Sequence, residues 1–322
     1  MTKPSSFAVI GAGISGLSCA SELQKHGVSV QVFEKSRGPG GRMATRRHGE
    51  ATFDHGAQFF RVRSESFAEQ LSQWEGAGCV ARWEGRFGRD EAGDLIEDSD
   101  TRVRWVGAPK MNAITRHLSK PLQVHWQRRV VGLSRNGGVW QLRFEHGEEV
   151  GGFDGVVLSC PGPQAAALSP PDSAVHRRAE SLRYGVCWAA MLGMEERLSI
   201  PFDGIHGDGA LAWMARDSSK PGRPSGDRWV LHASPEFSAE HLNAVPADMG
   251  QRMAEMFVAR FGGRAEHVQS HRWLYALAEE SVGSESEWDE RLKIGLCGDA
   301  LVGARVESAW ESGRFLAKSI LG

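Results

Sequence analysis

The glycine pattern near the start of the chain most constrains its fold. The apolar segment FAVI (7–10) is followed by GAGISG (11–16), and residues up to about His26 have a helical pattern. VSVQVFE (28–34) then alternates as a strand that ends at Glu34. A strand, a glycine turn and a helix in this order bind a pyrophosphate at the helix N-terminus, and an acid after the second strand accepts hydrogen bonds from ribose hydroxyls. This stretch therefore predicts a dinucleotide-binding unit.

A second loop, RGPGGRMATRR (37–47), comes soon after the ribose acid. It holds four arginines in a chain whose formal net charge is −2. A net charge near zero gives no reason for attraction to nucleic acid or to a membrane surface, so this local charge is expected to serve a small anionic ligand. A planar guanidinium supplies the paired donors that a diphosphate needs beyond a helix dipole. Arg37, Arg46 and Arg47 are explained equally well as solvated surface side chains.

Composition places the chain in a broad class. With 322 residues, 41% hydrophobic and 24% charged, it matches an ordinary globular protein long enough for two domains. No apolar run reaches membrane-spanning length, and no export signal is found. The cysteines are scattered and form no C-x-x-C pattern, which favours reduced thiols in the cytoplasm over disulfides or a zinc site. They are Cys19, Cys79, Cys160, Cys187 and Cys297.

Strand patterns continue through the rest of the chain. Asn136-Gly137 is a strong hairpin signal between two of them. In the first half, strands are predicted at 122–126, 130–133, 139–144 and in GVVLS (155–159). Alternating runs that predict a second, largely antiparallel sheet lie at 186–194, 210–215, 229–233 and 271–276. The segment 216–228 is interpreted as a polar surface loop.

Two apolar stripes with a period near 3.6 predict helices that pack on a core. They are Phe67/Leu71/Trp74 and Met249/Met253/Met256/Phe257. At the C-terminal end, GLCGDALVGARVESAWESG (295–313) predicts a short strand, a Gly298-Asp299 turn and a helix from about Val306.

The expected fold is therefore α/β, with a Rossmann-type dinucleotide-binding domain and an inserted, mainly antiparallel β-sheet substrate domain. The predicted dinucleotide-binding domain, which the resemblance described next assigns to FAD, comprises 1–62, 104–165 and 285–322. The predicted substrate domain comprises 63–103 and 166–284.

Four motifs together resemble the renalase family, specifically its bacterial branch, within the FAD-dependent amine-oxidase-like superfamily. They are GAGISG, GPGGRMATRR, FDHGAQFF (53–60) and GDALVGARVESAWESG. The wording of GGRMATRR and FDHGAQFF is the more specific part of this resemblance. The resemblance implies a noncovalent FAD enzyme that oxidises the 2- and 6-dihydro isomers of NAD(P)H to NAD(P)+. It implies that the electrons pass to molecular oxygen and give hydrogen peroxide.

The resemblance also implies cofactor contacts. Arg42 would approach the FAD pyrophosphate, Val130 would offer its backbone to the adenine, and Asp299 would reach the ribityl chain or pyrophosphate. The helix from Val306 would point its N-terminus at the flavin N1/O2 edge, where free N–H groups stabilise reduced flavin. The predicted FAD contacts are Gly11, Ala12, Gly13, Ser15, Gly16, Glu34, Lys35, Gly41, Arg42, Met43, Asp54, His55, Gly56, Ala57, Gln58, Val130, Gly298, Asp299, Val306 and Glu307.

A dihydronicotinamide ring needs a flat partner and hydrogen bonds to its carboxamide, which Trp273, Gln58 and His232 can provide. A dihydropyridine gives up hydride readily because its product is aromatic, so no indispensable general base is expected. For the substrate diphosphate the candidate cations are Arg61, Arg63 and Arg305, and Arg305 could equally serve the FAD phosphates. The predicted substrate contacts are Gln58, Phe59, Phe60, Arg61, His232, Trp273 and Arg305.

Other functions stay open at this point. The first alternative is a flavin-dependent amine oxidase, although the chain has just Tyr184 and Tyr275 to build the usual tyrosine cage. The second is a non-catalytic FAD-binding scaffold. GDGALA (207–212) lacks the third glycine of a second nucleotide motif, and Cys297 is interpreted as a buried small residue rather than a flavin attachment point. The sequence leaves open the isomer preference, NAD versus NADP, and the oligomeric state.

Overall fold

The structure, a computed structural model, describes residues 5–322. Its strands are β1 (Ser6–Ile10), β2 (Ser29–Glu34), β3 (Arg46–His48), β4 (Ala51–Phe53), β5 (Val80–Arg82), β6 (Phe87–Glu91), β7 (Asp94–Glu97), β8 (Trp105–Gly107), β9 (Gln123–Trp126), β10 (Val130–Asn136), β11 (Val139–Phe144), β12 (Glu149–Phe153), β13 (Gly155–Leu158), β14 (Tyr184–Met194), β15 (Gly204–Gly207), β16 (Leu211–Arg216), β17 (Asp227–Ala233), β18 (Ala265–Ala278), β19 (Glu287–Asp289) and β20 (Ile294–Leu296).

Its α-helices are α1 (Ile14–Lys25), α2 (Glu65–Gly76), α3 (Ala113–Ser119), α4 (Gly162–Leu168), α5 (Ala174–Ser181), α6 (Pro235–Glu240), α7 (Pro246–Phe261), α8 (Asp299–Val302) and α9 (Val306–Leu321). Short 3-10 turns occur at Gly41–Met43 and Asp217–Ser219. Within residues 5–322, no helix combines the length and apolar character needed to cross a bilayer.

The described chain divides into two compact units. Unit 1 comprises 5–41, Ile114–Arg183 and Ala278–Gly322, and unit 2 comprises Arg42–Ala113 and Tyr184–Leu277. Compared with the domains expected from sequence, 42–62 and 104–113 lie in unit 2, whereas 166–183 and 278–284 lie in unit 1. The assignment of a function to each domain stays a prediction.

Unit 1 contains a Rossmann-type sheet. Its strand order within the described residues is β19-β20-β13-β1-β2-β9, and all neighbours are parallel except β19 and β20. The run of apolar residues in β1 is buried, as expected for a parallel strand covered on both faces. Helices α1 and α9 pack against each other so closely that a Cβ on Gly313 would lie 2.1 Å from the Ser15 carbonyl oxygen. The predicted dinucleotide-binding architecture is confirmed.

A smaller antiparallel sheet, β10-β11-β12, also belongs to unit 1. Asn136 pairs with Val139 across its first turn, and Gly137 and Gly138 have φ of +58° and +86°. Two successive positive φ values are those of a type I′ hairpin turn, which glycine adopts without strain. The predicted hairpin therefore forms.

Unit 2 contains a larger sheet with the order β18-β14-β17-β16-β15-β6-β7. The pairs β14–β17, β16–β17, β15–β16 and β6–β7 are antiparallel, and β15–β6 is parallel. The side chains of Met249, Met253 and Phe257 on α7 are buried in the same core as the sheet residue Trp229. The predicted second, mainly antiparallel sheet is confirmed.

The segment 216–228 differs from the sequence interpretation. It contains the 3-10 turn Asp217–Ser219, and four of its charged residues are buried: Arg216, Asp217, Lys220 and Asp227. The interpretation as a polar surface loop was wrong because charges that pair with one another can be buried, and polarity alone does not show whether partners exist.

Candidate functional site

The glycine turn of unit 1 leaves the start of α1 open to a ligand. Gly13 caps the helix with ordinary extended dihedrals, and a Cβ built on it would meet nothing within 4 Å. A Cβ on Gly16 would lie 2.3 Å from the carbonyl oxygen of Gly11. Gly16 is thus required by packing, whereas Gly13 keeps space free in front of the N–H groups of the first helical turn. That space fits a diphosphate.

Glu34 is held in position by the backbone. One carboxylate oxygen accepts from the Ala12 N–H and the other from the Ser36 N–H, each at 2.8 Å. Glu34 is buried, and each oxygen keeps a further lone pair for a ribose hydroxyl. The N–H of Arg128 donates to the Glu34 carbonyl oxygen at 2.8 Å, and Val130, two residues after Arg128, is buried.

The two glycine motifs of the sequence meet in unit 1. The Gly40 N–H donates to the Ala12 carbonyl oxygen at 3.1 Å. Gly41 has φ of +53°, and a Cβ on it would lie 3.5 Å from the Cα of Gly13. Lys35, between the ribose acid and this loop, is exposed.

The C-terminal motif forms two successive helix starts. Gly298 precedes the one-turn helix α8, and a Cβ on it would meet nothing within 4 Å. Asp299 and Glu307 are buried in the first turns of α8 and α9, and the exposed Arg305 caps α9. Cys297 is buried in the apolar core of unit 1, so its thiol is enclosed by protein. The cradle formed by Gly13, Gly298 and Glu34 fits the adenosine and diphosphate parts of FAD.

In unit 2, residues 42–43 lie against 56–57. The Ala57 N–H donates to the Arg42 carbonyl oxygen at 2.8 Å, and a Cβ on Gly56 would lie 2.0 Å from that oxygen. The Arg42 guanidinium donates to the Ala276 carbonyl oxygen at 3.1 Å, and Met43 is buried. Glycine at position 56 is therefore needed for this close approach.

Asp54 is the centre of a buried charge network. Its carboxylate accepts from the Thr45 hydroxyl at 2.6 Å and from the Met111 N–H at 3.0 Å. Arg223 forms an ion pair with it, and the Lys220 ammonium lies 3.8 Å away. Burial pushes the pKa of Asp54 upward, but Arg223 and Lys220 together push it below its usual range. The carboxylate is therefore ionised and neutralised by protein cations.

The amide of Gln58 is fixed by the same network. Its Nε2 donates to the Gly56 carbonyl oxygen at 3.0 Å and to the Asp54 carbonyl oxygen. Its Oε1 accepts from the Lys220 ammonium at 3.0 Å, and Lys220 also donates to Asp217 at 2.7 Å. Lys220 and Asp217 were not among the residues singled out from the sequence. No motif marks them, because Gln58 and Asp54, which they contact, are far away in the chain.

His232 and Trp273 converge on one atom. The His232 Nε2 lies 3.1 Å from the main-chain oxygen of His55, and the Trp273 Nε1 lies 2.9 Å from the same oxygen. A carbonyl oxygen can only accept, so His232 carries its proton on Nε2. The ring of His55 stacks on that of Trp273 with centroids 5.0 Å apart, and His271 meets His55 edge to face at 5.0 Å.

The three histidines of this group are neutral near pH 7. Burial, with His271 and Arg46 nearby, lowers the pKa of His55 to about 3. Burial lowers the pKa of His232 to about 4, and burial together with Arg46 lowers the pKa of His271 to about 4. The group thus consists of neutral imidazoles and an indole ring, without a carboxylate of its own.

The residues after Gln58 lie in an aromatic cluster. The Phe59 ring lies 5.7 Å from that of Trp213, a residue that sequence reasoning missed because it alternates as an ordinary strand residue. Phe60 is buried. Arg61 is ion-paired with Asp100 and lies over the Phe59 ring, whereas Arg63 is exposed.

Tyr184 and Tyr275 pack against each other in unit 2. Their ring centroids are 5.7 Å apart with planes at 75°, an edge-to-face contact. A substrate held between two rings must lie about 3.5–4 Å from each ring. The pair is therefore closed to a substrate.

Comparison with known families supports the interpretation of the motifs as nucleotide- and flavin-binding. Residues 9–73 match the NAD(P)-binding Rossmann-like domain. Residues 94–321, more than half of the chain, match the flavin containing amine oxidoreductase family.

Solved structures with low sequence identity share the fold. A protein described as a protoporphyrinogen oxidase from Exiguobacterium sp. 255-15 is similar with a TM-score of 0.79 and 14% identity, covering 99% of both chains. Putrescine oxidase bound to putrescine is similar with a TM-score of 0.72 and 13% identity, again covering 99% of both chains.

Curated relatives match over short segments. The chain is 51% identical over 41 residues to the zeta-carotene-forming phytoene desaturase of Myxococcus xanthus, 13% of this chain and 8% of that protein. It is 45% identical over 56 residues to a 4,4'-diapophytoene desaturase of Staphylococcus haemolyticus (strain JCSC1435), 17% of this chain and 11% of that protein. The matches thus span about a tenth of the length of these relatives.

These matches and the geometry of unit 1 agree on the cofactor, which is FAD. The chain belongs to the flavin containing amine oxidoreductase family.

Proposed function

We propose that this protein oxidises isomeric dihydronicotinamide dinucleotides, the 2- and 6-dihydro forms of NAD(P), to NAD(P)+. The observation that carries the proposal is the neutral group around His55, in which His232 and Trp273 hold one main-chain oxygen. A dihydropyridine is an uncharged flat ring with a carboxamide, and a group of neutral imidazoles and an indole suits it.

The charges nearby favour the same substrate class. An amine that binds as an ammonium needs a carboxylate partner, because burial of an unpaired charge is costly. Asp54 is next to His55 in sequence, but it is neutralised by Arg223 and Lys220. Asp217 is likewise paired with Lys220. Neither carboxylate is left for a cationic substrate.

When bound, FAD would supply the hydride acceptor for this reaction, with molecular oxygen as the final electron acceptor and hydrogen peroxide as the product. The chain's own residues bind and orient. We assign the cofactor's diphosphate to the glycine turn and its ribose to Glu34, and the contact of Arg42 with the diphosphate stays a prediction from the sequence. His232 and Trp273 fix the His55 backbone and place the substrate ring. No proton need be removed from the ring, because aromatisation of the pyridine drives hydride release.

An amine oxidase is the second candidate, since the fold is shared with putrescine oxidase. At 13% sequence identity, the similarity to putrescine oxidase is a similarity of fold and does not reach the substrate. The closed Tyr184–Tyr275 pair argues against an amine cage made of these two rings.

The test is anaerobic mixing of the purified holoenzyme with 2- and 6-dihydro-NAD, 2- and 6-dihydro-NADP, ordinary NADH and a panel of amines. We expect the isomeric dihydronicotinamides to bleach the flavin fastest, by about a hundredfold over NADH, because NADH carries its hydride on a different ring carbon. Bleaching by an amine while every dihydropyridine fails would establish the second candidate. Failure of both groups would favour a non-catalytic FAD-binding scaffold.

A further inference from the structure

Arg46 is a partly buried cation of unit 2 without an anionic partner among the described residues. Four other arginines of this unit that are partly or fully buried each contact a carboxylate. The pairs are Arg61–Asp100, Arg104–Asp98, Arg216–Asp227 and Arg223–Asp54. Within residues 5–322, Arg46 has no carboxylate at ion-pair distance, and its guanidinium donates instead to the Nδ1 of His271 at 3.5 Å. A half-buried cation without a counter-ion leaves an uncompensated positive charge.

Three histidines lie next to Arg46 on strands β3 and β18. Arg46 and His48 lie two residues apart on β3 and so share one face of the strand, and the same holds for His267 and His271 on β18, four residues apart. The rings of His48 and His267 stack with centroids 3.6 Å apart. We call Arg46, His48, His267 and His271 the basic strip.

The hydrogen bond from Arg46 fixes what His271 can do. Because Nδ1 accepts, the neutral ring carries its proton on Nε2, and no residue of the described chain accepts from that nitrogen. His271 therefore offers an N–H donor beside the Arg46 cation. The ring of His271 also meets that of Trp273 edge to face at 4.4 Å, so the basic strip begins beside the predicted partner of the substrate ring.

We infer that Arg46 and His271 bind the diphosphate of the dinucleotide substrate, with His48 and His267 continuing the site along the strands. The inference rests on the proposed function. One ribose separates the pyridine from the diphosphate in such a substrate, and Trp273 and His271 are neighbours on one face of β18. Arg61, a candidate for this role from sequence, already has Asp100 as a partner.

The experiment uses the holoenzyme and ADP-ribose, which carries the diphosphate but no pyridine. We expect ADP-ribose to bind and to compete with dihydronicotinamide dinucleotide. Arg46→Ala should weaken its binding about 10- to 100-fold, the effect of losing one charged hydrogen-bonding group. Arg46→Lys, which keeps the charge, should weaken ADP-ribose binding less than Arg46→Ala does. Flavin absorbance reports whether each variant keeps its fold and its FAD.

Arg47→Ala is the matched control, because Arg47 is the exposed neighbour on the opposite face of β3. It should leave ADP-ribose binding unchanged. Absence of ADP-ribose binding to the unmodified holoenzyme, or an equal loss in the Arg46 and Arg47 variants, would overturn the inference.

A phosphate-free dihydronicotinamide riboside separates this inference from the proposed function. Arg46→Ala should slow its oxidation far less than that of the dinucleotide, because the riboside has no diphosphate for Arg46 to bind. If the riboside reduces the flavin but ADP-ribose does not bind, the proposed function stands and the diphosphate site is wrong. If no dihydropyridine reduces the flavin while amines do, the proposed function itself is wrong.

Discussion

The ammonium of Lys220 lies 3.0 Å from the side-chain oxygen of Gln58, with both side chains buried. Lys220 also pairs with Asp217 at 2.7 Å, and Gln58 donates to the backbone of the segment 54–58. A residue of a polar loop thus fixes the segment that carries His55. This arrangement places four buried charges in one network whose members depend on one another, namely those of Lys220, Asp217, Asp54 and Arg223.

Lys220→Met should therefore destabilise the protein strongly. It would leave Asp217 buried without its cation and remove one of the two cations beside Asp54, and breaking a buried pair costs about 3–5 kcal/mol. Urea unfolding monitored by tryptophan fluorescence measures the loss. The double variant Lys220→Met/Asp217→Asn removes both charges, and much of the stability should return. Equal stability of the single and double variants would contradict the network.

Gly13→Ala should separate folding from cofactor binding. Gly13 has dihedrals open to alanine and its Cβ would meet no protein atom within 4 Å, so stability should change by less than about 1 kcal/mol. The added methyl fills the space in front of α1. FAD affinity should fall about 10- to 100-fold, the effect of an overpacking strain of 1–3 kcal/mol. FAD fluorescence during ultrafiltration measures its release.

Gly16→Ala is the counterpart. A Cβ there would lie 2.3 Å from the Gly11 carbonyl oxygen, so the apoprotein itself should lose about 1–3 kcal/mol of stability. Similar loss of stability in both variants would show that Gly13 is a packing residue.

Much of the fold could be predicted from local patterns. The strand, glycine turn and helix around Gly13 depend on contacts close in sequence, and so do the Asn136-Gly137 hairpin and the helical stripe ending at Trp74. Helix α8 was not expected, because a single turn gives no periodic signal.

The candidate site was harder to predict, because its contacts join distant parts of the chain. Lys220 and Gln58 are separated by 162 positions, and Arg46 and His271 by 225. Charge in a segment predicts exposure unless a partner is known, and only the folded chain supplies the partner. The roles assigned to His232 and Trp273 stay predictions, although both side chains meet at one atom of the FDHGAQFF motif.

The stability of the protein should fall between about pH 6.5 and pH 3, in part because of His55. Its pKa is about 3 in the folded chain, against about 6.5 when unfolded, so the unfolded chain binds a proton that the folded chain refuses. Well above pH 6.5, His55 is neutral in both states and does not lower the free energy of unfolding. At pH 5 it lowers that free energy by about 2 kcal/mol. His232 and His271 act in the same direction.

Urea unfolding at pH 7 and pH 5 tests this linkage. His55→Gln should reduce the difference in the free energy of unfolding between the two pH values by about 2 kcal/mol. The control is His146→Gln, since His146 is exposed in the turn after β11. An unchanged difference in the His55 variant would show that this histidine titrates normally in the folded chain.

Trp273→Phe should slow flavin reduction while FAD stays bound. The variant keeps an aromatic ring but loses the Nε1–H that donates to the His55 carbonyl oxygen at 2.9 Å. A displacement of about 1 Å in a positioning segment can cost about a hundredfold in rate. Stopped-flow reduction by a dihydronicotinamide dinucleotide measures the rate, and the flavin absorbance before reduction measures how much FAD is retained.

His232→Ala removes the other donor to the same oxygen and should act in the same direction. The matched control is Trp140→Phe, which loses an equivalent indole bond to the Leu292 carbonyl oxygen at 2.9 Å within unit 1. It should lower stability without slowing reduction, and an equal slowing in the two tryptophan variants would remove Trp273 from the site.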